Sequence, residues 1–324
     1  MNDTRTAILD WMAQGRLRPH EAAHALRLAG MIPGGDDWRS FLDRLMLWIG
    51  TVSCGAAVVF FFAYNWQDMG RFAKFGLVEL LLLVSLASSW RLSLDRAGGK
   101  AVLLLASLLT GALLALVGQT YQTGADPWEL FAVWAVAILP WVVLGRFGAL
   151  WLLWLVLVNL AAYLHFRTLG GLFGWLFDTE QRIWAVFAVN TAALLAWELA
   201  GRSGAAWLRE RWPVRIVAAA SGGAVTTLAV LAILDFRHGG SGWAMLAWCA
   251  WMTAAFFYYR SRQQDLFILA GGVLAAIVVA TTFLARHVLR NFDAGGFLFI
   301  GLVVIGMSAA GGMWLKSVAS EVEK

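Results

Sequence analysis

Along its length the chain alternates between apolar runs of about 20 residues and short polar breaks. A polar opening of about 40 residues comes first. Ten runs then follow, over 45–64, 72–90, 101–120, 128–144, 149–166, 183–200, 214–234, 243–259, 266–285 and 296–315. A helix rises 1.5 Å per residue, so a run of this length matches a hydrocarbon layer of ~30 Å. The pattern predicts an all-α fold, a polytopic transmembrane helix bundle of about ten spans. Runs four and five are separated only by residues 145–148, Gly-Arg-Phe-Gly, which reads as a tight turn between antiparallel helices.

The opening has a helical pattern of its own. Ile8, Leu9 and Trp11 share a helical face, and Gly15 breaks it. Pro19 starts a second helix carrying Ala22, Ala25, Leu26 and Leu28, and Gly30 stops it. Residues 1–40 are therefore expected to form a short cytoplasmic helical hairpin, 45–315 the membrane bundle, and 316–324 a cytoplasmic tail. The hairpin is too short to hold a core alone. The first apolar run is too long for the apolar segment of a signal peptide, so no cleavable leader is expected.

Composition agrees with the periodicity. The 324 residues are 60% hydrophobic and 14% charged, with a mean hydropathy of +0.70. Soluble proteins carry roughly 25% charged residues, so this chain cannot clothe a globule in polar surface. Many of the 19 Trp fall at run ends, where an indole sits half in lipid and half in water. Trp134, Trp154 and Trp251 fall inside runs and are expected to pack.

Charge sets orientation. The net charge is +5, but Lys and Arg stand singly or in small groups beside apolar runs rather than in a basic block with aromatics, which excludes nucleic acid as a partner. With the N-terminus inside, eighteen of the 25 Lys and Arg fall on the inner side and seven on the outer. This predicts N-in and C-in. Cys54 and Cys249 lie inside apolar runs with no metal-ligand spacing, and read as small apolar filler. His165, His238 and His287 are scattered, so no metal site is expected.

The densest polar patch between runs is 118–134, G-Q-T-Y-Q-T-G-A-D-P-W-E-L-F-A-V-W. It joins runs three and four and falls on the outer side. Asp126-Pro127-Trp128-Glu129 has the form of a helix start: Asp as N-cap, Pro at the first position, Glu three residues on to bond back. Gln119, Tyr121, Gln122, Asp126, Trp128 and Glu129 are candidate ligand or ion contacts, and Asn65 joins them at the end of run one. Glu79 lies about two turns into run two. A carboxylate there costs ~2.5–3.5 kcal/mol on insertion scales, and Phe75, Gly76, Leu82 and Leu83, its helical neighbours, offer no partner. It is expected to pair with another helix or to carry a proton or ion. Glu198 has Arg202 four residues on and reads as an ordinary helix pair. Asn159 and Asn190 read as interhelical glue.

No H-E-x-x-H, G-x-S-x-G or Gly-rich phosphate loop occurs. No enzymatic activity, catalytic residue or cofactor is expected.

The segments F-A-Y-N-W at 62–66, R-F-A-K-F-G-L-V-E at 71–79 and G-Q-T-Y-Q-T-G-A-D-P-W-E-L-F at 118–131 resemble a family of bacterial predicted membrane proteins of unknown function, DUF2157. The resemblance runs from the N-terminus to about Phe147 and includes the helical opening. It implies a bacterial inner-membrane location and no activity. It also marks Asn65, Trp66, Lys74, Glu79, Gln119, Tyr121, Asp126, Pro127 and Trp128 as recurrent motif positions.

The expected function is transport or binding of a small polar solute or cation at the outer patch, with the lipid bilayer as first partner. The alternative is a non-enzymatic scaffold or sensor that binds other membrane proteins. A lipid-modifying enzyme using a lone acid is a third class.

Overall fold

The computed structural model describes residues 2–30, 32–64, 69–122, 124–173, 179–234, 242–288 and 294–322. Among these there are α-helices and no strands. In order they are α1 Asn2–Ala13, α2 Pro19–Leu28, α3 Gly35–Tyr64, α4 Arg71–Arg91, α5 Ala97–Tyr121, α6 Pro127–Gly145, α7 Gly148–Phe173, α8 Thr179–Gly201, α9 Arg211–Leu234, α10 Gly242–Phe257, α11 Leu266–Val288 and α12 Ala294–Val322. A helix corresponds to each of the ten runs. Nine are long and apolar enough to cross a membrane among the described residues. α10 is the exception, with 16 residues. A π-helical turn, Tyr258–Arg262, carries it on by five residues, and together they reach ~31 Å. The chain is a membrane-integral helical protein in contact with lipid.

The chain forms two compact units that divide within α5, between Leu109 and Thr110. The first unit holds the hairpin. Gly15 (φ +67) and Gly30 (φ +68) adopt the left-handed backbone that ends each short helix. The Arg18 N–H donates to Glu21 Oε2 at 3.3 Å at the start of α2. α3 begins at Gly35, so residues 35–44, read from the sequence as the end of the hairpin and its link, are already the first turns of the first spanning helix. Asp37 Oδ2 accepts from the Gly34 N–H at 2.8 Å and fixes that start. Gly55 lets α3 approach α5 closely: a Cβ there would lie 2.9 Å from Leu108 Cδ1. On α4 the buried stripe is Lys74, Val78, Ser85 and Ser89.

The second unit is built around α9, whose buried face runs from Pro213 to Ile233. α8, α10 and α11 pack on it. Leu155, Leu194, Trp197, Val214, Val217, Ile268 and Val318 form the core near one end, and Ala229, Ile233 and Val279 a smaller cluster further along. Ser221, fully buried on α9, is a polar hub. Its Oγ accepts from Trp251 Nε1 at 3.0 Å and bonds Thr191 Oγ1 at 2.7 Å, tying α8 and α10 to α9. Beside it, Gly222 makes room for the indole, since a Cβ there would meet Trp251 Cη2 at 2.7 Å. The other interior tryptophans also pack. Trp154 Nε1 donates to the Ala135 carbonyl at 3.1 Å, and Trp134 lies on the face that Gly111 leaves open. Asn159 and Asn190 join α7 to α8 through their amides, at 2.7 Å in the closer of two contacts. Cys54 and Cys249 are free and lie on exposed helix faces rather than in the core.

Helix pairing collects several basic residues of the second unit at one end. Arg146, in the left-handed conformation at the C-cap of α6, leads into α7. There Gly148 sits against the start of α9, and a Cβ on it would be 2.5 Å from Pro213 Cγ. Arg202 closes α8, Arg211 and Arg215 open α9, Arg260 and Arg262 follow α10, and Arg260 pairs with Glu321 at the end of α12. The start of α6, and with it the polar patch, lies at the opposite end.

Candidate functional site

The patch forms a pocket within the second unit. Gln119, Gln122, Asp126 and Glu129 line it with Gly118, Pro127 and several aliphatic side chains, and its volume is about 600 Å³. Pro127 begins α6, and Asp126 is its N-cap by backbone geometry (φ −66, ψ 146). The expected cap is incomplete, because the Asp126 side chain makes no cap hydrogen bond. Only the backbone closes that turn, with the Glu129 N–H on the Asp126 carbonyl at 3.0 Å. Neither carboxyl makes a hydrogen bond or ion pair with a described residue. Pre-set proline dihedrals explain why: they hold the helix start without help from the side chain. Two acceptor groups are thus left facing the pocket. Gln122 is at positive φ (45°), which turns the chain sharply after α5.

Other sequence candidates divide between this pocket and other surroundings. Trp128 packs edge-on against His165 of α7, ring centroids 4.6 Å apart, so it braces α6 rather than lining the pocket. Tyr121 is 62% exposed and does not line the pocket. Glu79 belongs to the first unit. It is exposed on α4, one residue beyond buried Val78, and makes no hydrogen bond or ion pair with a described residue. Asn65 and Trp66 lie outside the described residues, as does His238. Among the described residues no three His, Cys, Asp or Glu are grouped to hold a metal.

At the basic end stands a polar cluster that the sequence reading passed over. Asp265 precedes α11 and is 2% exposed. Arg211 Nε donates to its Oδ2 at 3.3 Å, Arg215 Nε reaches both oxygens at 3.1 Å, and the Phe267 N–H donates to Oδ1 at 3.1 Å as a helix cap. Glu198 accepts from Arg211 Nη1, Tyr258 Oη and Tyr259 Oη, each at 3.0 Å. The pairing expected between Glu198 and Arg202 is replaced by this one, because Arg211 reaches in from α9. One arginine therefore links α8 through Glu198 to the start of α11 through Asp265. The π-helical turn brings the hydroxyls of both Tyr258 and Tyr259 onto the same carboxylate. The signal was available in the sequence. Arg211 and Arg215 sit four apart at the head of one run, and a lone Asp heads the run two further on.

Comparison with known proteins adds a family for one segment only. No curated protein and no solved structure matches the chain. Residues 9–151, from within α1 to the first turn of α7, match the model of DUF2157, a family described as a predicted membrane protein, and that segment is identified with it.

Proposed function

We propose that this protein binds a small polar solute or cation at the pocket formed where α5 gives way to α6, as a non-enzymatic integral protein of a bacterial inner membrane. The observation that carries this reading is the pair of unengaged carboxyls, Asp126 and Glu129, in a pocket of about 600 Å³ with the amides of Gln119 and Gln122. Asp126 is exposed and Glu129 half-buried, and a carboxyl left without a protein donor is suited to a donor from solution. In this reading the positive-inside rule makes the basic end of the second unit cytoplasmic, with the pocket facing outward and both termini inside. Passage of the solute across the membrane, with Glu79 carrying a proton or ion, is the transport form of the same proposal.

The test is thermal unfolding of the purified full-length protein in detergent, screened against a panel of mono- and divalent cations, polyamines and amino acids. A ligand at 100 times its Kd should stabilise by ~2.7 kcal/mol. The expected result is at least one stabilising compound whose effect is lost in Asp126→Asn/Glu129→Gln and kept in Trp128→Phe. A compound that stabilises parent and double variant equally would refute the pocket. If binding holds, solute flux in proteoliposomes that is insensitive to Glu79→Gln would remove the transport form.

A further inference from the structure

A second recess lies in the other half of the same unit. Between α8 and α10, and reaching the π-helical turn, runs a groove of about 910 Å³. Phe187, Leu195 and Leu199 wall one side, and Ala247, Ala250 and Ala254 keep the other side shallow. From Phe187 to Leu199 the apolar wall extends 12 residues along α8, ~18 Å. This is close to the ~15 Å of hydrocarbon in one leaflet.

The groove changes character at the basic end. Its last lining residues are Arg202, Tyr258, Ser261 and Arg262. Glu198, the acid in the lining, is already engaged by Arg211 and the two tyrosine hydroxyls. Among the described residues no carboxylate pairs with Arg202 or Arg262, both of which are exposed. The recess is therefore one acyl chain long and ends in two guanidinium groups that no described carboxylate pairs, one of which, Arg202, also donates to the Tyr258 hydroxyl. Guanidinium groups match phosphate oxygens in a fork geometry, and because a zwitterionic headgroup offsets its phosphate with a cation of its own, the pair favours a lipid of net negative charge.

We infer that the α8–α10 groove is a binding site for an anionic phospholipid, with one acyl chain along Phe187–Leu199 and the headgroup phosphate between Arg202 and Arg262. The site is independent of the patch pocket. A basic residue near a membrane surface favours an acidic lipid about fivefold, so the pair should be worth about 30-fold.

The experiment is native mass spectrometry of the full-length protein released from detergent, titrated with phosphatidylglycerol and with phosphatidylcholine of the same acyl chains. The expected result is a preference of roughly 30-fold for phosphatidylglycerol, abolished in Arg202→Gln/Arg262→Gln. Ala250→Phe, which fills the groove, should weaken both lipids. Neither arginine makes an ion pair with a described residue, and Arg202→Gln gives up one hydrogen bond to Tyr258, so the double variant should fold with an unfolding midpoint close to the parent's. Equal retention of the two lipids by the parent would overturn the inference, as would an undiminished preference in the double variant. Suppression of phosphatidylglycerol binding by inorganic phosphate without loss of phosphatidylcholine would identify a free-anion site and would also overturn it.

Discussion

Replacing Asp265 by asparagine isolates what the buried charge contributes at the basic end. The carboxylate side chain is 1% exposed and meets Arg211 and Arg215. Breaking a buried pair by removing one partner costs about 3–5 kcal/mol, because the remaining charge is stranded. Two features place the cost at the lower end. Arg215 is 43% exposed and can turn to water. Arg211 keeps Glu198 at 3.0 Å. The expected loss for Asp265→Asn is therefore ~3 kcal/mol. Asparagine retains a side-chain oxygen for the Phe267 N–H. Asp265→Ala also loses that cap, for a further ~1 kcal/mol. At roughly 2–4 °C per kcal/mol, unfolding of the purified protein in detergent should shift down by ~6–12 °C for Asn, with Ala a few degrees lower. Combining Asp265→Asn with Arg211→Gln should cost less than the two separate losses summed, since each change removes the other's stranded partner. A midpoint for Asp265→Asn within about 2 °C of the parent, or strict additivity in the double variant, would refute the account of the cluster as a coupled ionic clamp.

Other expectations follow from close approaches and paired amides. Gly222→Ala should displace Trp251 from Ser221 and cost about 1–3 kcal/mol, read as a lower midpoint with altered tryptophan emission. Gly311→Ala places a Cβ 2.4 Å from Val273 Cγ1 and should force α12 away from α11, with a similar loss of ~1–3 kcal/mol measured in the same way. Asn190→Leu should cost ~0.6–1.7 kcal/mol, the range found for interhelical hydrogen bonds in membranes. The double variant Asn159→Leu/Asn190→Leu should recover part of that loss, because no amide is then left without its partner.

Much of the fold was legible because lipid imposes a simple rule. Backbone groups must be satisfied within a segment, so each long apolar run becomes a helix. The breaks at Gly15, Gly30 and 145–148 were readable from turn chemistry alone. Where α3 begins was not, because Asp36, Asp37, Arg39, Asp43 and Arg44 make its first turns polar and mask a helix that continues into the apolar run. The pocket at the patch was readable as a run of polar types. Its unused cap was not, since Asp-Pro-x-Glu has the same sequence whether or not the carboxyl folds back. The cluster of Glu198, Arg211, Arg215 and Asp265 escaped because its members are up to 67 residues apart in sequence. Helix periodicity ranks only neighbours three and four apart, so Arg202 was the natural partner for Glu198 until helix packing brought Arg211 closer.

The ionic clamp is also one of several points at which the helices of the second unit are held together. It ties α8, α9 and α11 together at a single rim. Rigid rods pinned at one end swing about that end like the ribs of a fan. α9 has 24 residues and is ~36 Å long, so a tilt of about 10° at the pinned rim would carry its far tip some 6 Å sideways. Ser221 at mid-helix and the Arg286 side chain on the Leu234 carbonyl at the far tip hold α9 against that swing.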